Sequence, residues 1–294
     1  MKIIDKLVKN KSFISLEYFP PKEHKDWPVF FKTVERLCSL NPLFASVTYG
    51  AGGSTHSDTL EIVTRLQKEH GLEAMAHLTC IGSSPDEVVN FLNELAVAGV
   101  NNVLALRGDV PTDVPPGFAP RPTLQQASDL VSFIRSSHPE LGIGVASYPE
   151  AHPESSSAEA DLSYLKLKLD NGADFSITQL FFDNRLYFDF VKKAQASGIT
   201  SPIIPGILPV VSLKVIKRIV SLCGASIPAD FMAALEEADL RGGASAVQKV
   251  GVAYARRQVQ ELLDSGAPGV HIYTLNRAEV VLELVDGLLS DNTH

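Results

Sequence analysis

Cysteine is scarce in this 294-residue chain: Cys38, Cys80 and Cys223 are far apart and form no CxxC pair. That excludes a zinc ribbon and a disulfide framework, and it suits a reducing compartment. No HExxH string occurs, and His77 and His152 lack the spacing of paired helical ligands, so no metal site is expected. Long apolar runs are missing too, since none approaches the roughly 20 residues that cross a bilayer. The opening MKIIDKLVKNK lacks the apolar stretch of a secretory signal. A soluble, cytoplasmic protein is the expectation. Positive charge is in deficit, with 26 Lys and Arg against 34 Asp and Glu. The net −8 comes without a dense basic block, which argues against nucleic acid or a membrane surface as partner. Linkers rich in Gly or Ser are also lacking, so residues 1–294 read as a single domain.

What is present is a rhythm. Short apolar, β-branched runs recur at 13–19, 43–49, 73–79, 101–109, 142–148, 174–180, 201–208 and 268–277, each followed by a helical stretch. Strands alternating with helices imply a parallel sheet, and eight such units in a chain of this length fit an α/β fold of the (β/α)8 (TIM) barrel type. The helices fall at 27–39, 55–70, 123–137, 155–171, 184–197, 212–223 and 276–290, and Ser84-Pro85-Asp86-Glu87 starts another. Residues 228–266 hold two helices where one would suffice, and 228–238 reads as an extra helix before the last strand. The proline-rich 110–122, VPTDVPPGFAPRP, must be a loop after the fourth strand.

In such a barrel, chemistry gathers at the carboxyl ends of the strands. Alternation places Glu17 inward beside Ser15, with Leu16 and Tyr18 on the helices. The same reasoning puts Val103, Ala105, Arg107 and Asp109 inward, Leu104 and Leu106 outward, and Met75, His77 and Thr79 on one face. Phe175, Ile177 and Gln179 share another. A carboxyl among Leu16, Tyr18, Phe19, Pro20 and Pro21 is poorly solvated, which raises its pKa and suits a general acid. The alternative is a structural carboxylate paired with Arg or Lys. Arg107-Gly108-Asp109 either clamps an anion and a heterocycle or closes an internal salt bridge. Gly50–Thr55 reads as a tight turn or a weak anion cradle. Tyr148–Glu154, YPEAHPE, is a stiff turn able to hold a flat ring and a ribose, or simply a rigid one. Lys166 and Lys168 are within reach of a phosphate, with solvated lysines as the plain alternative. No Cys/His or Ser/His nucleophile pattern is present, which favours cofactor chemistry or proton transfer over acyl transfer.

The strings SLEYFPPK, VTYGAGGS, HLTCIG, LALRGD, SYPEAHPES, ADFSITQLFFD, PIIPGILP and YTLNRAE, in this order, resemble the methylenetetrahydrofolate reductase family in its short bacterial form. Each alone is unspecific, but the ordered set touches all eight strands. The resemblance implies FAD-dependent reduction of 5,10-methylenetetrahydrofolate to 5-methyltetrahydrofolate by NADH or NADPH, in ping-pong hydride transfer through flavin. It makes Glu17 the general acid and Asp109 a carboxylate near the flavin. It makes Thr48, His77, Arg107, Gly108, Tyr148, His152, Asp161 and Lys168, along with Asp109, FAD contacts. Gln179 and Arg277 become substrate contacts, the latter on the folate tail. Val215 and Ile219 stand where many bacterial relatives carry Gln and an aromatic. Self-association is common among relatives, so a homo-oligomer is expected. An alternative is a folate- or flavin-binding redox subunit that draws electrons from a partner protein.

Overall fold

The computed structural model describes residues 1–10, 12–49, 56–108 and 124–288. Asp109, the Gly50–Thr55 turn and the 110–122 loop lie outside the described residues. Nine parallel strands curl into a nearly closed barrel. They are β1 (Phe13–Tyr18), β2 (Ala45–Val47), β3 (Ala74–Thr79), β4 (Asn102–Leu106), β5 (Gly142–Ser147), β6 (Phe175–Thr178), β7 (Ile203–Ile204), β8 (Gly206–Ile207) and β9 (Gly269–Tyr273). Their order is β7-β6-β5-β4-β3-β2-β1-β9-β8, so neighbours in sequence are neighbours in space. This is the (β/α)8 arrangement that the strand rhythm implies.

The count of nine has a local cause. The seventh run, 201–208, is split at Pro205, which has no N–H to donate to a ladder. On one side of it β7 pairs with β6, and on the other β8 pairs with β9. Side chains bridge the break. Gly206 N donates to Thr178 Oγ1 at 2.9 Å, and the Tyr273 hydroxyl donates to Thr178 O at 2.8 Å.

The helices around the barrel are α1 (Ile3–Leu7), α2 (Trp27–Cys38), α3 (His56–Lys68), α4 (Pro85–Ala98), α5 (Ala127–Ser137), α6 (Ala158–Asp170), α7 (Asn184–Ala196), α8 (Leu213–Cys223), α9 (Ala229–Asp264) and α10 (Ala278–Val285). Helix α4 starts on a reciprocal cap: the Ser84 side chain accepts from Glu87 N while the Glu87 side chain accepts from Ser84 N. Helix α2 buries Trp27, Phe30, Phe31, Val34 and Leu37, spaced by three or four, and Phe30 meets Tyr18 edge-on at 5.7 Å. The two helices expected within 228–266 run as α9, with non-helical backbone at Gly242 and Gly243 marking the bend between them. Helix α1 was not anticipated. It puts Ile3 and Leu7 into the apolar floor of the barrel with Phe13, Phe44, Met75 and Phe175.

Strand parity follows expectation with one correction. Leu16 and Tyr18 pack under the helices and Glu17 lies inside; Met75, Phe175 and Ile177 also face the interior. On β4 the faces are reversed. Leu104 and Leu106 point into the barrel, and Val103 and Ala105 pack under the helices. A parallel strand is apolar on both faces, so VLAL carries no parity signal of its own. Arg107 lies past the strand end, where Gly108 (φ 82°) has turned the backbone.

Candidate active site at the carboxyl ends of the strands

The lower barrel interior is apolar and the upper interior is polar. Strand β1 contributes Ser15 and Glu17, β2 Ser46, β3 His77, and β9 His271, all buried. Glu17 Oε2 lies 3.3 Å from His77 Nε2, 3.4 Å from His271 Nε2 and 3.4 Å from Ser46 Oγ. His271 Nδ1 is 2.8 Å from Ser15 Oγ, which also donates to Val270 O. The backbone beneath Glu17 is pinned by the last strand's loop. Thr274 Oγ1 donates to Glu17 O at 2.6 Å, and Asn276 exchanges two bonds with Phe19. Leu275 and Asn276 take left-handed conformations to make that loop.

These neighbours overturn the expected charge state of Glu17. Burial alone pushes the carboxyl up, but the imidazoles of His77 and His271 outweigh it and hold the pKa at about 2. The partners are histidines rather than the Arg or Lys of the structural alternative. His271 escaped the sequence reading because one imidazole in GVHIY is unremarkable until its face is known. Alternation from the outward Val270 and Ile272 would have placed it inside.

Two polar atoms in this region lack hydrogen-bond partners among the described residues: Thr48 Oγ1 and His77 Nε2. The latter is close to Glu17 but out of line for a hydrogen bond.

Beside this cluster is a cleft of about 210 Å³ whose walls include Arg107, Tyr148, His152, Asp161 and Lys168. Five expected cofactor contacts from three chain segments therefore meet in one place. Asp161 and Lys168 lie two turns apart on one face of α6. Lys168 is not a solvated lysine. Its Nζ donates to Ala146 O at 2.6 Å, and burial drives its pKa down to about 8, against the pull of Asp161. Lys166 pairs outward with Asp170. Burial raises the Asp161 carboxyl, which accepts from His152 N at 3.2 Å. Tyr148 and His152 meet edge-on at 4.9 Å. Arg107 reaches Glu154 at 2.6 Å, a partner that the sequence reading missed.

Gly108 has its place by necessity. It is left-handed, and a Cβ built there would lie 2.8 Å from Thr79 Cβ. Gln179 is half-buried at the end of β6, where its Oε1 accepts from Leu180 N. Arg277 is exposed and opens α10 at the barrel rim. Neither touches the Glu17 cluster directly. Val215 is largely exposed on α8, and Ile219 packs on the small core between α8 and α9. No described helix is long and apolar enough to cross a membrane.

The fold and site define a (β/α)8-barrel protein with a carboxylate–imidazole cluster at its mouth and a polar cleft alongside. The chain belongs to the methylenetetrahydrofolate reductase family, whose sequence profile matches residues 2–288. It is 40% identical over 267 residues to the 5,10-methylenetetrahydrofolate reductase of Escherichia coli, covering 91% of this chain and 87% of that one. It is 38% identical over 296 residues to methylenetetrahydrofolate reductase (NADH) 1 of Arabidopsis thaliana, covering 94% of this chain. The chain spans about half the length of the plant relatives it matches. A solved protein from Clostridium thermocellum, described as binding two copies of 5-methyl-5,6,7,8-tetrahydrofolic acid, shares the fold. Its TM-score is 0.66 at 17% identity, with 96% of this chain and 97% of that one covered.

Proposed function

We propose that this chain reduces 5,10-methylenetetrahydrofolate to 5-methyltetrahydrofolate, with FAD as bound cofactor and a nicotinamide dinucleotide as electron source. The observations that carry the reading are the buried Glu17–His77–His271 cluster inside the barrel and the Arg107–Lys168 cleft where β4 and β5 end. Family membership and the names of the relatives support it. Thr48 Oγ1, which has no hydrogen-bond partner among the described residues, fits a flavin, which offers hydrogen-bonding atoms along one edge of its ring system. Arg107, Tyr148, His152, Asp161 and Lys168 would hold the rest of the cofactor, with Gly108 letting backbone approach it. Bound FAD supplies the two-electron relay between the two substrates.

The protein's own residues manage the proton. Opening the five-membered ring of the folate needs an acid at the ring nitrogen. With a pKa of about 2, Glu17 rests as a carboxylate between His77 and His271. Ser15 fixes the Nδ1 side of His271, so its Nε2 is the atom that exchanges a proton with Glu17. His271 is sealed from solvent, and Glu17 is the member of the pair placed to pass the proton on. A pterin entering beside Glu17 strips water from it and favours its neutral form, readying it as the acid. Gln179 offers an amide to the pterin, and Arg277 an exposed guanidinium to the carboxylates of the folate tail. Asp109 takes the role of a carboxylate near the flavin on the strength of the family pattern alone.

The purified protein should be yellow and should bleach with NADH or NADPH without oxygen. Methylenetetrahydrofolate should then restore the colour. A protein that stays colourless after incubation with FAD would end this reading.

A further inference from the structure

The turn that walls the cleft is fastened to a loop far along the chain. The Glu150 carboxylate accepts from Ser226 N at 3.1 and 3.2 Å and also from the Ser226 hydroxyl. A second contact lies alongside. Gly224 ends α8 in a left-handed conformation (φ 74°), and a Cβ built there would sit 2.9 Å from Pro153 Cγ. Residues 150 and 153 of one loop are thus closed against 226 and 224 of the other. The first loop follows β5, and the second joins α8 to α9.

The turn needs such a fastening. Ala151 has φ 71°, a left-handed conformation that a residue with a Cβ keeps only where its surroundings hold it. Ala151 lies between Glu150 and His152, and His152 stands edge-on to Tyr148 in the cleft. Asp161 holds the same turn from below through His152 N. Without Glu150 the turn keeps that lower tether and loses the upper one. We propose that Glu150 and Ser226 are positioning residues: a clamp that holds Tyr148 and His152 against bound cofactor and slows its release. This rests on the flavin reading above and assigns to the seventh unit a part in cofactor retention.

The test uses full-length apoprotein reconstituted with FAD and followed by flavin fluorescence. Glu150→Ala should weaken FAD binding about tenfold, the scale of one charge-assisted hydrogen bond, and should speed FAD release to match. Ser226→Ala should have a smaller effect, because the backbone N–H still reaches the carboxylate. The double variant should match Glu150→Ala alone, since the Ser226 hydroxyl acts only through Glu150. Melting of each apoprotein checks the fold; if Glu150→Ala does not fold, Glu150→Gln and Ser226→Ala carry the same comparison. Wild-type affinity in Glu150→Ala, or full additivity in the double variant, overturns the clamp. A wild-type apoprotein that takes up no FAD overturns the flavin reading itself, and the clamp with it.

Discussion

Glu17→Gln is the perturbation that tests the electrostatics of the barrel mouth most directly, because it removes the charge and keeps the shape. Glu17 has a folded pKa of about 2 against an ordinary 4.5. The unfolded chain therefore takes up a proton on this residue before the folded one does. Its contribution to stability is fully present above about pH 4.5 and is lost as pH falls toward 2. At neutral pH the shift corresponds to about 3 kcal/mol, an order-of-magnitude figure at 1.36 kcal/mol per unit. About 2 kcal/mol of that is gone by pH 3. Wild type and Glu17→Gln should therefore differ most near neutrality, and the gap should close by about 2 kcal/mol between pH 7 and pH 3. Urea unfolding at several pH values, read from the single tryptophan Trp27, measures this directly. A gap that stays constant, or that opens with acid, would refute the ionised carboxylate. A gap that changes only between pH 5 and 7 would restore the raised pKa that the apolar flanking residues suggest.

In the reaction, Glu17→Gln and His271→Asn should both leave reduction of bound flavin by NAD(P)H largely intact. Both should slow folate reduction by about 10²-fold or more, in separate anaerobic stopped-flow half-reactions. Equal loss in both half-reactions counts against the proton role. Gly108→Ala should destabilise the protein by about 1–3 kcal/mol, from the left-handed backbone and the encounter with Thr79, seen as a lower melting temperature. Lys168→Met should leave the apoprotein at least as stable as wild type near neutral pH, because a buried lysine with its pKa lowered to about 8 is held at a cost there. That cost fades as pH rises above about 8, so the comparison should shift toward wild type in alkaline urea titrations. FAD affinity should fall in the same variant; unchanged affinity would remove Lys168 from the cofactor site.

Much of the barrel was legible because most of its helices carry a 3.6-residue apolar period, and some open on a cap, as α4 does at Ser84. Glu17 was legible because SLEYF alternates. What failed shares one cause: side chains whose environment is made by distant chain. The reading of VLAL reversed β4, since both faces of a barrel strand are apolar. Apolar neighbours in sequence pointed to a raised pKa for Glu17. The deciding neighbours, His77 and His271, lie 60 and 254 residues away. Lys168 looked like an exposed helix lysine until Ala146 and Asp161 closed over it. Ile3 and Leu7 looked like an ordinary terminus, and they turn out to be the floor of the barrel.

The break at Pro205 gives the barrel a preferred place to breathe. Elsewhere each strand pairs with a neighbour on both sides, so opening one means breaking two rows of bonds together. The seventh strand gives one short grip to β6 and another to β9, and it changes hands at a residue that cannot donate. Amide exchange should therefore enter the sheet at Ile203–Ile207 before any other strand. A chain circularly permuted to begin at Pro205 should fold, whereas the same cut within β3 should not. Tyr273 and Thr178 rivet this seam, and each is followed by a residue described above: Thr274, which donates to Glu17 O, and Gln179 at the end of β6. The wall that carries Thr274 and Gln179 is thus also the most yielding part of the ring.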